Sequence, residues 1–178
     1  GDRVFIVDSG SNSSRVLSQM RIPQGEIDAI LLTHFHSDHI DGLGDTVLQA
    51  WVNGSRTEPM PLIGPEGVQE IAKGLKDTYR QDQLYRTAHH GEEIVPPSGF
   101  GAVAQPFTQP EAGEGVVILD DDDLTITAFR VDHEPVDPAV GYRFDYKGRS
   151  VVISGDTVAS QNLARLAKGA DLLVHEVL

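Results

Sequence analysis

Four metal-capable side chains fall within six consecutive residues, His34-Phe35-His36-Ser37-Asp38-His39, directly after the apolar run Ile27–Thr33. In an extended segment, side chains i and i+2 point the same way, so His34 and His36 can share one ion. Asp38 and His39, where the chain turns into a helix, are directed towards a second position. One loop offering ligands in two directions is a way to build two adjacent metal sites. The chain contains no Cys, which excludes disulfides, thiol nucleophiles and thiolate ligands. Any ion must therefore sit among imidazoles and carboxylates, a donor set that suits zinc, iron or manganese.

The surrounding elements have to hold that loop in place. Val4–Asp8, stopped by Ser9-Gly10, and Ile27–Thr33 read as buried strands. Leu43, Val47, Ala50 and Trp51 recur at helical spacing and stop at Asn53-Gly54. A second helix is expected to open at Pro65-Glu66, carry Val68, Ile71, Leu75 and Tyr79, and run on past Tyr85 and Ala88 to Gly91. His89-His90 close it, either as histidines that suit the helix dipole or as pocket lining. The Pro- and Gly-rich residues 92–109 read as loop, and Tyr79, Tyr85, His89, Phe100 and Phe107 serve either a pocket wall or the core.

The second half changes character. Val116–Leu119, Leu124–Val131, Val140–Tyr146 and Arg149–Ser154 are strand-like, with Lys147-Gly148 as a two-residue hairpin turn. A helix over Val158–Ala167 and a strand at Leu172–Val174 follow. The acidic run Asp120–Asp123 reads as a solvated turn. Strands grouped with flanking helices put the fold in the α/β class, as stacked sheets covered by helices.

A length of 178 residues suits a single domain. No run approaches the roughly 18 apolar residues of a membrane span. The net charge of −13 argues against a nucleic-acid partner held by a broad basic surface. Self-association stays open as a homo-oligomer.

The segment His34–His39, flanked by Leu32-Thr33 and Asp41-Gly42, resembles the HxHxDH motif of the metallo-β-lactamase superfamily. Later landmarks come in that family's order: His133 at the end of the strand 125–132, then Ser154-Gly155-Asp156-Thr157. The resemblance implies an αββα sandwich holding two zinc ions, with Mn2+ or Fe2+ as alternatives. It makes His34, His36 and His133 ligands of the first ion, Asp38 and His39 ligands of the second, and Asp156 the bridge. Gly141-Tyr142-Arg143-Phe144 and His175-Glu176 look like the ribonuclease Z and arylsulfatase-like branch. Of that branch's HEAT-like segment only the first two positions of His175-Glu176-Val177-Leu178 agree. The family also has a strand pair before Val4 and a seventh ligand, a His, downstream of His175. On this reading the domain is an incomplete sandwich, lacking N-terminal strands and the C-terminal segment.

The expected chemistry is hydrolysis. A metal-bridging hydroxide attacks an ester-type small molecule, a sulfate ester or a phosphodiester. Asp38 serves as ligand and as orienter or base for the water, and His175 is a candidate acid for the leaving group. A tRNA 3′-processing endoribonuclease ranks as an alternative, because the tRNA-gripping arm of such enzymes has no room in the 23 residues from His133 to Asp156 (156 − 133 = 23). A β-lactamase or lactonase, and a metal-binding module without activity, complete the readings.

Overall fold

In the computed structural model, which describes residues 3–121 and 123–176, the first two apolar runs form β1 (Phe5–Val7) and β2 (Ala29–Leu31). They pair in parallel, Phe5 opposite Ala29 and Val7 opposite Leu31. β3 (Met60–Pro65) joins them with Ile30 opposite Leu62, and β4 (Ala102–Phe107) completes the sheet order β1-β2-β3-β4. All of β2 is buried, and parallel strands buried on both faces read as apolar runs. β3 and β4 are less legible. Pro61, Gly64 and Pro65 interrupt the one, and Pro106 lies in the other, where an edge position tolerates the missing N–H.

The chain divides into two units, Gly1–Pro106 and Phe107–Leu178. The first unit also holds α1 (Ser13–Gln19), the single turn α2 (Ser37–Ile40), α3 (Leu43–Gly54) and α4 (Val68–His90). α3 buries Leu43, Val47, Ala50 and Trp51 as the spacing predicts, and stops with Ser55 in the left-handed region at φ 47°. α4 starts three residues later than expected, because Pro65 ends β3 and Gly67, at φ 109°, turns the chain into the helix. Only Val68 and Ala72 of its 23 residues are buried. Ile30, Leu32, Leu43, Val47, Leu62 and Val68 share the main core. Trp51, Val95 and Phe100 form a smaller cluster against Tyr79, with the Trp51 indole N–H donating to the carbonyl of Pro96 at 2.7 Å. Tyr79 and Phe100 are therefore core residues, whereas Tyr85 is exposed.

The second unit is a meander. β5 (Gly115–Asp121), β6 (Leu124–Arg130), β7 (Val140–Tyr146) and β8 (Arg149–Ile153) pair antiparallel in turn, and β9 (Leu172–Val174) lies parallel to β8. Lys147 and Gly148, at φ 49° and 76°, make the expected primed hairpin turn. Asp120 and Asp121 pair with Thr125 and Leu124, so part of the acidic run is strand. Asp122, like Val177 and Leu178 of the HEAT-like segment, lies outside the described residues. α5 (Gln161–Leu166) is shorter than the expected helix because the hydroxyl of Ser160 accepts the Leu163 N–H and sets its start. Leu163 packs with Phe129, Val131, Ala139 and Val152. No described helix is long and apolar enough to cross a membrane.

Candidate metal centre

β1 and β2 end side by side, and each hands over a polar residue. Asp8 leaves β1 at φ 58°, a region that Asp tolerates better than most side chains. Its Oδ1 accepts the backbone N–H of Thr33 at 2.8 Å, and its Oδ2 accepts the Thr33 hydroxyl at 2.7 Å. The same Oδ2 lies 2.8 Å from Nδ1 of His39, while the Thr33 hydroxyl oxygen lies 3.1 Å from Nδ1 of His34.

Counting protons fixes both imidazoles. The carboxylate only accepts, so His39 carries its hydrogen on Nδ1. Thr33 has given its one hydroxyl proton to Asp8, so its oxygen accepts Nδ1–H of His34. Both rings then present the lone pair of Nε2 in the opposite direction. His34 is fully buried, and its Nε2 lies 3.0 Å from Nδ1 of His36. His39 Nε2 lies 3.6 Å from an Asp38 carboxylate oxygen.

These donors fit divalent metal. Two imidazole nitrogens on one tetrahedral zinc, each about 2.0–2.1 Å from it, stand roughly 3.3 Å apart, close to the His34–His36 separation. Asp38, whose side chain is largely exposed, brings a carboxylate oxygen near Nε2 of His39. The backbone behind them is tight. A Cβ on Gly10 would stand 2.1 Å from the carbonyl oxygen of Asp38, and one on Gly42 would stand 2.1 Å from that of Gly10. Ser9 N–H donates to the His39 carbonyl at 2.8 Å. The turn after β1 thus backs the ligand loop directly.

In the second unit His133 follows β6 and is half-buried, and Asp156 follows β8 and is also half-buried. Thr157 ties their two loops together. Its hydroxyl oxygen accepts the Asp132 N–H at 3.0 Å, and its single proton reaches the carbonyls of Asp132 and Val158, 3.1 and 2.9 Å away. Val158 N–H returns a bond to the Asp132 carbonyl at 2.9 Å. Thr157 and Val158, expected near the start of a helix, are instead the clasp between the two candidate ligands. The Glu176 carboxylate accepts the Thr157 N–H, and Nδ1 of His175 lies 3.3 Å from the Ser154 hydroxyl. His175-Glu176 therefore brace the segment that carries Asp156.

Asp8, Thr33, Thr157 and Glu176 are positioning residues to which the sequence motifs gave no ligand role. The available signal for Asp8 was a lone acid ending the first buried strand.

Residues 3–178 match the family model of the Beta-lactamase superfamily domain. The chain is 37% identical over 180 residues to "Ribonuclease Z" of Mycolicibacterium gilvum (strain PYR-GCK), a match spanning all of this chain and 60% of that protein. It is 38% identical over 180 residues to "Ribonuclease Z" of Mycobacterium avium (strain 104), spanning all of this chain and 61% of that one. The chain belongs to the metallo-β-lactamase superfamily.

Among solved structures, human tRNase Z, short form, superposes with a TM-score of 0.69 at 23% identity over 95% of this chain and 64% of that one. The Bacillus subtilis metallo-beta-lactamase fold protein YhfI gives 0.66 at 22% identity over 97% of this chain and 59% of that one. The fold is thus the metallo-β-lactamase fold, which implies divalent metal binding. The chain spans about 60% of the length of the curated ribonuclease Z relatives it matches.

These relatives overturn the expected partners, a small-molecule ester with nucleic acid set aside. Relatives that match the whole chain carry the name ribonuclease, for cutting RNA. Neither net charge nor chain length discriminates between the partners. Net charge is a sum over the whole chain, while recognition depends on local potential. The missing arm does not discriminate either, because an alignment of 180 positions to 178 residues leaves no room for a long insertion in the matched part of those relatives.

Proposed function

We propose that this metallo-β-lactamase-fold chain carries the catalytic metal centre of a tRNA 3′-processing endoribonuclease. Two zinc ions would be held by the residues that the motif order gives, His34, His36, Asp38, His39, His133 and Asp156. The carrying observation is the Asp8–Thr33 network, which leaves Nε2 of both His34 and His39 as lone-pair donors. A pair of divalent cations there would polarise the scissile phosphodiester and lower the pKa of the attacking water from about 15.7 towards 7.

The chain's own groups do the rest. Asp38 is both a ligand and the acceptor that orients the attacking water and takes its proton. His175, steadied by Ser154, donates a proton to the leaving 3′ oxygen. The positive charge that an acidic chain needs to meet RNA is concentrated at this one point, where it acts on the phosphate being cut.

Elemental analysis after zinc reconstitution, run beside cleavage of a precursor tRNA with a 3′ extension, tests this reading. The expected result is two zinc ions per chain and a single cut at the 3′ side, both lost in His133→Ala and Asp156→Ala. Metal content unchanged in those variants, or hydrolysis of an aryl sulfate with no cut in the RNA, would overturn it.

A further inference from the structure

Ser9 and Thr46 are both fully buried, and their hydroxyl oxygens lie 2.9 Å apart. The pair stands where apolar contact is the rule. Thr46 lies on the buried face of α3 with Leu43, Val47, Ala50 and Trp51. Either hydroxyl left alone there would cost its full desolvation, whereas two apolar groups of the same shape would be nearly neutral. Stability alone does not call for the pair, but geometry does. A hydrogen bond sets one separation and one direction, which an apolar contact leaves free.

What that bond steadies is the ligand loop. Ser9 N–H donates to the His39 carbonyl at 2.8 Å, and the Ser9 carbonyl accepts the Gly42 N–H at 2.9 Å. Thr46 N–H donates to the Gly42 carbonyl at 3.0 Å. The Ser9 backbone therefore grips the turn at His39 and at Gly42, while its side chain ties that turn to the first turn of α3. The residue before it, Asp8, holds the His39 ring at Nδ1. Two consecutive residues thus fasten His39 at its ring and at its carbonyl. We propose that the Ser9–Thr46 pair sets the spacing between the end of β1 and α3, and so holds His39 in the orientation that offers Nε2 to a metal. Thr46 is a positioning residue that acts through Ser9. This rests on the metal-centre reading above and extends it into the core of the first unit.

The test compares the full chain with Thr46→Val, Thr46→Ser and the double variant Ser9→Ala with Thr46→Val. Urea midpoints come first, and zinc affinity is then read by chelator competition where every protein is fully folded. The double variant leaves no hydroxyl unpaired, so it should keep a near-native midpoint. It is expected to bind zinc about ten-fold more weakly, the lower end of the loss when a ligand's orienting partner is removed. Thr46→Ser keeps the hydroxyl and should bind as the native chain does. If the double variant does not fold, Thr46→Val against Thr46→Ser carries the same comparison. Native zinc affinity in the hydroxyl-free variant, or an equal loss in Thr46→Ser, would overturn the inference and leave the metal reading standing. A native chain that takes up no zinc removes the metal reading. The nitrogen shifts of the His39 ring in metal-free protein, identified by their loss in His39→Gln, then decide the positioning role. A single Nδ1–H tautomer in the native chain that becomes a mixture without the hydroxyls supports it, and a tautomer unchanged overturns it.

Discussion

Asp8 holds His39 through a 2.8 Å contact between its Oδ2 and the ring Nδ1, although 31 positions separate the two residues. The same oxygen takes the hydroxyl proton of Thr33, so one carboxylate sets the tautomer of His39 directly and that of His34 through Thr33.

The variant Asp8→Asn reverses that setting with little change of shape. The amide oxygen can still accept the Thr33 N–H, but the NH2 group now faces His39 and asks Nδ1 to accept. The ring hydrogen moves to Nε2 and removes the lone pair that a metal needs. Loss of such an orienting partner costs roughly 10–100-fold in metal affinity. Competition with a chromophoric chelator reads it, and undiminished zinc affinity would defeat the tautomer argument.

Gly10→Ala acts on the same loop by volume alone. The added Cβ would stand 2.1 Å from the Asp38 carbonyl oxygen, and backbone on both sides leaves no flexible group to move aside. Over-packing of this kind costs about 1–3 kcal/mol, seen as a lower urea midpoint. The second metal position, which Asp38 and His39 form, should weaken with it. An unchanged midpoint together with full metal content would show that the turn after β1 does not support the loop.

The ligand loop was legible because its chemistry is local: four ligating side chains in six residues need no knowledge of the fold. β7 and its turn were legible for a similar reason, since Lys147-Gly148 and the residues around them encode a hairpin in a short window. β3 and β4 were not, because prolines at buried or edge positions are tolerated by sheet neighbours that are distant in sequence. α5 shrank because Thr157 and Val158 are committed to Asp132, 25 residues from Thr157. Asp8 escaped for the same reason, as its role exists only once β1 lies beside β2. The expected partner did not hold because net charge is a sum over the whole chain, while recognition depends on local potential.

Acid should loosen the start of β8. Asp171 accepts the Ser150 N–H at 2.7 Å and pairs with Arg149 at 2.9 Å, and these hydrogen bonds hold its carboxyl below the ordinary carboxylate range. A depressed folded-state pKa gives stability that is complete above the unfolded value and fades as pH falls through the folded one. Denaturation midpoints of the native chain should therefore drop on the acid side of that range more steeply than those of Asp171→Asn. The group is exposed, so the difference is small. Parallel acid limbs for the two proteins would remove Asp171 from the account.

Thr157→Val keeps the shape of the clasp between Asp132 and Val158 and deletes its hydroxyl. The Asp132 N–H, paired at 3.0 Å in the native protein, then lacks its acceptor beside a buried methyl. An unsatisfied buried donor costs about 1–3 kcal/mol, measurable as a shift in the urea midpoint. Thr157→Ser restores the oxygen and should recover most of that loss. A purely structural role predicts no change in metal binding at equal folding. If instead Thr157 positions Asp156, the valine variant should also bind zinc more weakly under conditions where it is fully folded, and the serine variant should not. Equal zinc affinity in all three folded proteins would reduce the clasp to a stabilising contact.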